Sequence, residues 1–249
     1  MRIACVEWPE GLLPEGTAFE RITAEIARAQ PDILITNELP FGDWLAGQPD
    51  FDRAQAQASV ELHERGLAVL GALGVPLVIT SRPVWSGERL ANEAVAIAGG
   101  QVMPLHRKRY FPAEAGWHED RWFAPSDGSF DLAELHGLKI GVLLCTELMF
   151  NERARAYGRQ GADLIVVPRA TGQTPVWQTA CQMAAIVSGA YVVSSNRVGG
   201  SFSGNGMAIA PDGGLIGMTL AESPLLVFEL NPTKARAQKN EYPCYVRET

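Results

Sequence analysis

At 249 residues, with hydrophobic side chains at 47% and charged ones at 20%, the chain has the balance of a folded, water-soluble protein and the length for one large α/β domain. A formal net charge of -7 argues against a general nucleic-acid binder, because such proteins take most of their affinity from clustered Lys and Arg that displace counterions from phosphate. No apolar stretch reaches the roughly 20 residues that span a bilayer, and Met1 to Val6 runs straight into a strand-like segment rather than a signal peptide, so a cytoplasmic protein without a membrane partner is expected.

The first strand is predicted over Arg2 to Glu7. Phe19 to Ala29 follows with apolar Phe19, Ile22, Ile26 and Ala29 at helical spacing, and Ile33 to Thr36 is a second strand. Asp52 to Leu73 is Ala-rich and poor in breakers, hence helical. From Pro76 to Val102 the pattern is consecutive strands, with cores at Pro76 to Thr80 and Glu93 to Ala98, joined by the turn Trp85-Ser86-Gly87-Glu88 and the pair Gly99-Gly100. Strands are then expected at Lys139 to Leu144, Asp163 to Val167, Ala190 to Ser194, Gly206 to Ala210 and Leu225 to Leu230, with helices over Asn151 to Arg159 and Trp177 to Gly189. Helices between some strands and tight turns between others imply α/β layers with antiparallel pairs inside them. No repeat, low-complexity run or linker divides the chain, so residues 1–249 are taken as one domain. The polar tail Asn231 to Thr249 is expected to wrap over the body or over a partner subunit.

Cys5, Cys145, Cys181 and Cys244 form no CxxC pair and have no histidines at ligand spacing, which excludes a zinc motif and a secreted disulfide frame. Cys5 and Cys181 lie within apolar elements and are expected in the core, while Cys244 is placed at the surface or a subunit contact. None of His63, His106, His118 and His136 sits in a motif that would activate a serine or cysteine, so any thiol chemistry needs another base.

Three segments supply candidates, two of them at strand ends. Gly141-Val142-Leu143-Leu144-Cys145-Thr146-Glu147 ends an apolar strand on a cysteine, a position that presents side chains into a cleft, although a lone cysteine is more often a buried small hydrophobe. Asn37-Glu38-Leu39-Pro40 places a carboxylate where a strand gives way to a loop, where a surface acid is the plainer reading. His106-Arg107-Lys108-Arg109-Tyr110-Phe111-Pro112 is a basic cluster in aromatic surroundings, which by itself is most simply a solvated face. Taken together they allow a thiol whose proton passes to a carboxylate while an ammonium holds the thiolate and the developing oxyanion.

In that chain order and at similar separations, Glu38, Lys108 and Cys145 in these contexts resemble the Glu-Lys-Cys triad of the nitrilase superfamily. The likeness continues through Gly116-Trp117-His118-Glu119-Asp120-Arg121-Trp122-Phe123, Ala190 to Gly199 and Gly204 to Gly213. The resemblance implies an α-β-β-α sandwich, two central mixed sheets flanked by helices, paired as a homodimer or an assembly of dimers across a helical face. It implies that Glu38 takes the proton of Cys145, that Cys145 attacks an amide or nitrile carbon, and that Lys108 and the N–H of Thr146 hold the oxyanion. It implies a second active-site glutamate, for which Glu119 is preferred over Glu114, with Trp117 beside the substrate. No metal or organic cofactor is implied.

After the nucleophile, Thr146-Glu147-Leu148-Met149 matches neither the Trp-Glu pattern of nitrilases nor the Asn-Asp-Arg pattern of carbamoyl-amino-acid hydrolases. Amide hydrolysis is therefore placed ahead of nitrile or carbamoyl hydrolysis. Arg169, after the strand Asp163 to Val167, is a candidate for a substrate carboxylate, against a structural pairing with Glu147 or another acid. Acyl transfer to an amine and a catalytically silent binding protein are the competing readings; the first suits relatives with membrane spans, and the second leaves the joint presence of Glu38, Lys108 and Cys145 without a reason.

Overall fold

A computed structural model describes residues 1–246. In chain order the elements are β1 (Arg2–Val6), α1 (Thr17–Ala29), β2 (Ile33–Ile35), α2 (Arg53–Gly71), β3 (Leu77–Ser86), β4 (Arg89–Ala98), β5 (Gln101–Arg107), α3 (Glu119–Trp122), β6 (Ala133–Leu135), β7 (Leu138–Val142), α4 (Asn151–Gln160) and β8 (Leu164–Arg169). They continue with α5 (Val176–Ser188), β9 (Tyr191–Asn196), β10 (Val198–Gly199), β11 (Phe202–Ser203), β12 (Met207–Ile209), β13 (Leu215–Met218), β14 (Leu225–Glu229) and α6 (Pro232–Gln238).

Two six-stranded sheets form, in the orders β14-β1-β2-β3-β4-β5 and β13-β12-β9-β8-β7-β6. In each, the central strands run parallel and the outer pairs antiparallel: β1 pairs parallel with β2, with Cys5 opposite Ile35, and antiparallel with β14. The period-two alternation of side chains sets the layers. In β1, Ile3 and Cys5 face inward with Ile33, Ile35 and Ile79, against Ile140, Val166 and Val193 of the second sheet. Ala4 and Val6 face outward, where Phe19, Ile22 and Ile26 of α1 and Leu67 and Leu70 of α2 cover them. The second sheet likewise turns Ile165, Val167 and Val192 outward against Ala154 and Tyr157 of α4 and Cys181, Ala184 and Ala185 of α5. The result is an α-β-β-α sandwich, and strands buried on both faces explain why the sequence shows short continuous apolar runs rather than alternation.

Local chemistry fixes several ends. Asp52 caps α2 by accepting the N–H groups of Ala54 and Gln55 at 2.8 and 3.0 Å. Gly99 and Gly100, at φ 55° and 77°, make the tight turn from β4 to β5, a pair of positive φ angles that disfavours side-chain-bearing residues. β5 itself departs from the sequence reading, which ended the strands at Val102. Pro104 and the polar flanks hide it, yet an edge strand tolerates both, and a register shift at Ala94/Val95 accommodates it on β4.

The tail packs as expected on the body: Arg236 pairs with Asp163, Lys239 donates to Ser188 O at 2.7 Å and Cys244 contacts Ile186 O. Residues 247–249 of the predicted tail lie outside the described residues. Among the described residues, no helix is long and apolar enough to cross a membrane.

Candidate active site

The ends of β2, β5 and β7 converge. Beyond β2, Glu38 donates its N–H to Arg169 O at 3.2 Å, and Leu39 takes a left-handed conformation at φ 44° with its N–H on Ser81 Oγ. Just after β5, the Lys108 N–H donates to Asn92 O at 2.9 Å, which ties the lysine to β4. Beyond β7, Cys145 opens a tight helical turn over Cys145–Met149 and sits at φ 51°. A left-handed cysteine is a costly backbone choice, sustained only where the surroundings dictate it, and such positions cluster where a side chain must be aimed.

All four central side chains are withdrawn from solvent: Glu38 and Lys108 are 0% exposed, Glu119 1% and Cys145 3%. Lys108 Nζ lies 2.8 Å from Glu38 Oε1 and 2.6 Å from Glu119 Oε2. Asn92 Nδ2 donates to the same Glu38 Oε1 at 2.7 Å. Glu38 Oε2 has no partner among the described residues, and donor atoms of Glu38, Glu119 and Cys145 all lie within 4.8 Å of one another. Two carboxylates and a thiol this close would also suit a divalent cation, but the Lys108 ammonium already stands between the carboxylates and supplies the positive charge there.

Burial pushes the Cys145 thiol above its ordinary range, Glu38 adds to the rise and Lys108 opposes it, so the resting group is a thiol rather than a thiolate. Burial works against the Lys108 ammonium, but Glu119 and Glu38 outweigh it and hold the amine protonated. Burial lifts Glu119 to about 7 against the pull of Lys108, with Glu38 adding to the rise. Near neutral pH the cluster therefore holds a thiol, an ammonium and a Glu119 that is only partly ionised.

Glu147 joins two of these segments. Its Oε1 accepts the Arg109 N–H at 2.8 Å, its Oε2 accepts the Leu144 N–H at 2.8 Å, and His106 Nε2 lies 3.0 and 2.8 Å from the two oxygens. A single buried carboxylate thus braces the residues flanking Lys108 against the residue preceding Cys145. Asn92 was not singled out in the sequence, and Glu147 was considered only as a partner for Arg169. The available signals were a polar Asn92 inside an apolar strand and a Glu147 two residues beyond the cysteine, both of which a buried network needs.

A cleft of about 300 Å³ opens over Cys145, lined by Thr146, Trp117, Glu119, Thr171 and Trp177 among others. Thr146 and Trp117 are thus beside the thiol. Glu119 is the glutamate that reaches Lys108, whereas Glu114 stands exposed at the mouth of the same cleft. Arg169 does not line this cleft. Its guanidinium turns to Ser194, Thr171 and Asn205, and the pairing with Glu147 does not form because Glu147 is taken by His106 and two backbone amides.

The carbon-nitrogen hydrolase family model matches residues 23–240. The N-carbamoylputrescine amidase of Arabidopsis thaliana is 28% identical over 194 residues, covering 73% of this chain but only 65% of that protein's length. Among solved structures, a carbon-nitrogen hydrolase from Helicobacter pylori G27 superposes with a TM-score of 0.87 at 18% identity, covering 98% of this chain and 94% of that one. An amidase variant from Nesterenkonia sp. AN1, showing covalent addition of the acetamide moiety of fluoroacetamide at the active site cysteine, shares the fold with a TM-score of 0.78 at 23% identity, covering 95% of this chain and 92% of that one. The converging strand ends and this match over most of the chain place the protein in the carbon-nitrogen hydrolase family.

Proposed function

We propose that the protein hydrolyses small-molecule amides to carboxylate and ammonia through an acyl-cysteine intermediate. The observation that carries this reading is Lys108, whose ammonium binds one oxygen of Glu38 and leaves Oε2 free within the cluster that contains Cys145. Glu38 Oε2 accepts the thiol proton as sulfur attacks the amide carbon. The oxyanion forms between Lys108 Nζ and the Thr146 N–H, which begins the tight turn and has no carbonyl partner inside it. Glu38 returns the proton to the leaving nitrogen, the C–N bond breaks and ammonia departs. Water then attacks the thioester, its proton passing to Glu38 and on to the sulfur as the carboxylic acid leaves. Glu119 keeps Lys108 charged and in place.

Covalent capture of an amide fragment by a cysteine in a protein of the same fold, and an amidase among the relatives, support amides over nitriles. Ammonia release from aliphatic, aromatic and carboxylate-bearing amides and nitriles, run with Cys145→Ala, tests the reading. Amide turnover that disappears in the variant is expected. Turnover of nitriles alone, or turnover that survives the substitution, would overturn it.

The resemblance to the superfamily also supports a homodimer paired across a helical face, and the face beside α5 is a candidate for it. Met149, Phe150, Val176 and Met183 are exposed around that face and partly line an apolar groove, which association would withdraw from water.

A further inference from the structure

A second cavity of about 310 Å³ adjoins the Cys145 cleft; Gln173, Thr174 and Trp177 line both. Its wall carries Arg169, a side chain 1% exposed. The guanidinium donates from Nε to Ser194 Oγ at 2.6 Å, from Nη1 to Thr171 Oγ1 at 2.8 Å and from Nη2 to Asn205 O at 2.9 Å. All three acceptors are neutral. Of the five N–H groups of a guanidinium, one on each terminal nitrogen therefore remains for another acceptor.

Buried arginines in proteins are normally matched by a carboxylate. Arg197 is matched in this way, by Glu10. Arg169 forms no ion pair among the described residues, and Glu7 reaches it only through a peptide, since Asn205 donates its N–H to Glu7 Oε1 and offers its carbonyl to Arg169. Thr171 lines the Cys145 cleft while accepting from Arg169, and the next residue after the arginine, Ala170, lines the same cleft. The unmatched cation therefore stands one residue from the wall of the cleft that holds Cys145. Trp177 lies under the guanidinium at 5.4 Å and holds its plane.

Resting on the amidase reading, we infer that the preferred substrates are amides bearing a carboxylate a few bonds from the reacting carbon, with that carboxylate received by Arg169 in the second cavity. A planar guanidinium with an N–H left on each terminal nitrogen can receive carboxylate oxygens. The Cys145 cleft holds the amide, and Trp177 and Thr174 border the path between the two chambers. Cationic amides are disfavoured by the same guanidinium.

The test has two arms. The first compares kcat/KM for the monoamides of succinic, glutaric and adipic acids with pentanamide and 5-aminopentanamide, in the wild type, Arg169→Lys and Arg169→Gln. At least one carboxylate-bearing amide should exceed pentanamide by on the order of 10- to 100-fold, with 5-aminopentanamide lowest, and the carboxylate-to-neutral ratio should fall by a similar factor in Arg169→Gln and less in Arg169→Lys. The second arm measures binding of the same compounds to Cys145→Ala by calorimetry, independent of turnover and of any folding defect in the arginine variants. Tighter binding of a carboxylate-bearing amide, weakened by salt, is expected. Hydrolysis of pentanamide with no carboxylate preference in either arm would overturn the anion subsite and leave the amidase reading intact. Carboxylate-dependent binding with no amide hydrolysed would do the reverse.

Discussion

Lys108 and Asn92 both bind the same oxygen of Glu38, at 2.8 and 2.7 Å, so the two oxygens of one carboxylate have separate tasks. In the proposed reaction Oε1 is the anchor and the unpartnered Oε2 the proton acceptor. Replacing Glu38 with Gln keeps the anchor's shape but removes the base. Because burial holds the Cys145 thiol protonated through neutral pH, alkylation of this cysteine depends on Glu38 rather than on standing thiolate. Glu38→Gln should lower both amide turnover and the rate of Cys145 alkylation by iodoacetamide by on the order of 100-fold. Mass spectrometry of the labelled peptide over time checks this, and an unchanged labelling rate would remove Glu38 from the role of base.

Glu119 makes a second prediction, about pH. Its folded pKa of about 7 stands above the ordinary 4.5, so between those values the folded protein binds more protons than the unfolded chain. Stability from this group therefore declines as pH rises from about 4.5 to about 7. His63 acts in the opposite direction, since burial holds it down to about 4 and its contribution grows as pH rises from about 4 to its ordinary 6.5. The difference between wild type and Glu119→Gln isolates the carboxylate. Thermal unfolding from pH 4.5 to 8 should show the wild type losing stability relative to the variant as pH increases; parallel curves would mean that Glu119 does not titrate in this window.

The exposed apolar residues before α4 and along α5 predict the state of assembly. Met183 is 42% exposed beside Val176 at 50%, and a carboxylate placed there would be trapped in a closed interface without a partner. Light scattering coupled to gel filtration should report a dimer or larger for the wild type and a shift to monomer for Met183→Glu. A monomeric wild type at micromolar concentration would sink the assignment.

The layers and the positions of Glu38 and Cys145 were legible in the sequence for one reason: each of these two residues follows a buried strand, where a continuous apolar run stops at a polar group, whereas Lys108, after the half-exposed edge strand β5, was legible only through its basic cluster and the likeness to the superfamily. All nine expected strand segments are present, because runs such as Ile33–Ile35 and Leu164–Arg169 have no alternative burial pattern. Several peripheral strands were opaque, although the edge strand β14 was read. β5 and β13 are half exposed, and β6, β10 and β11 are too short for periodicity to register. Asn92 and the bracing role of Glu147 were missed because their importance lies in partners far along the chain, 54 residues away for Asn92 and 38 and 41 for Glu147, which no local pattern encodes. Arg169 was noticed for its charge, but its position in an adjoining chamber depended on the path of residues 171–177.

Glu147 yields the last prediction. It is 0% exposed and accepts from Arg109 N–H, Leu144 N–H and His106. Glu147→Ala would strand two buried amides and a histidine, a loss of about 3 kcal/mol or more by the usual cost of unmade buried hydrogen bonds. Glu147→Gln retains the shape and one good acceptor, so it should cost less, although its NH₂ must face one of the three donors. The consequence for activity is more specific than the consequence for stability. Because the carboxylate fixes the flanks of Lys108 relative to Cys145, the glutamine variant should lose kcat with little change in KM: the substrate pocket is intact while the ammonium and sulfur are displaced from each other. Steady-state kinetics at a temperature well below the variant's unfolding midpoint separates this from simple instability. A variant that is less stable yet turns over at the wild-type kcat when folded would show that Glu147 supports the fold without positioning the reacting groups.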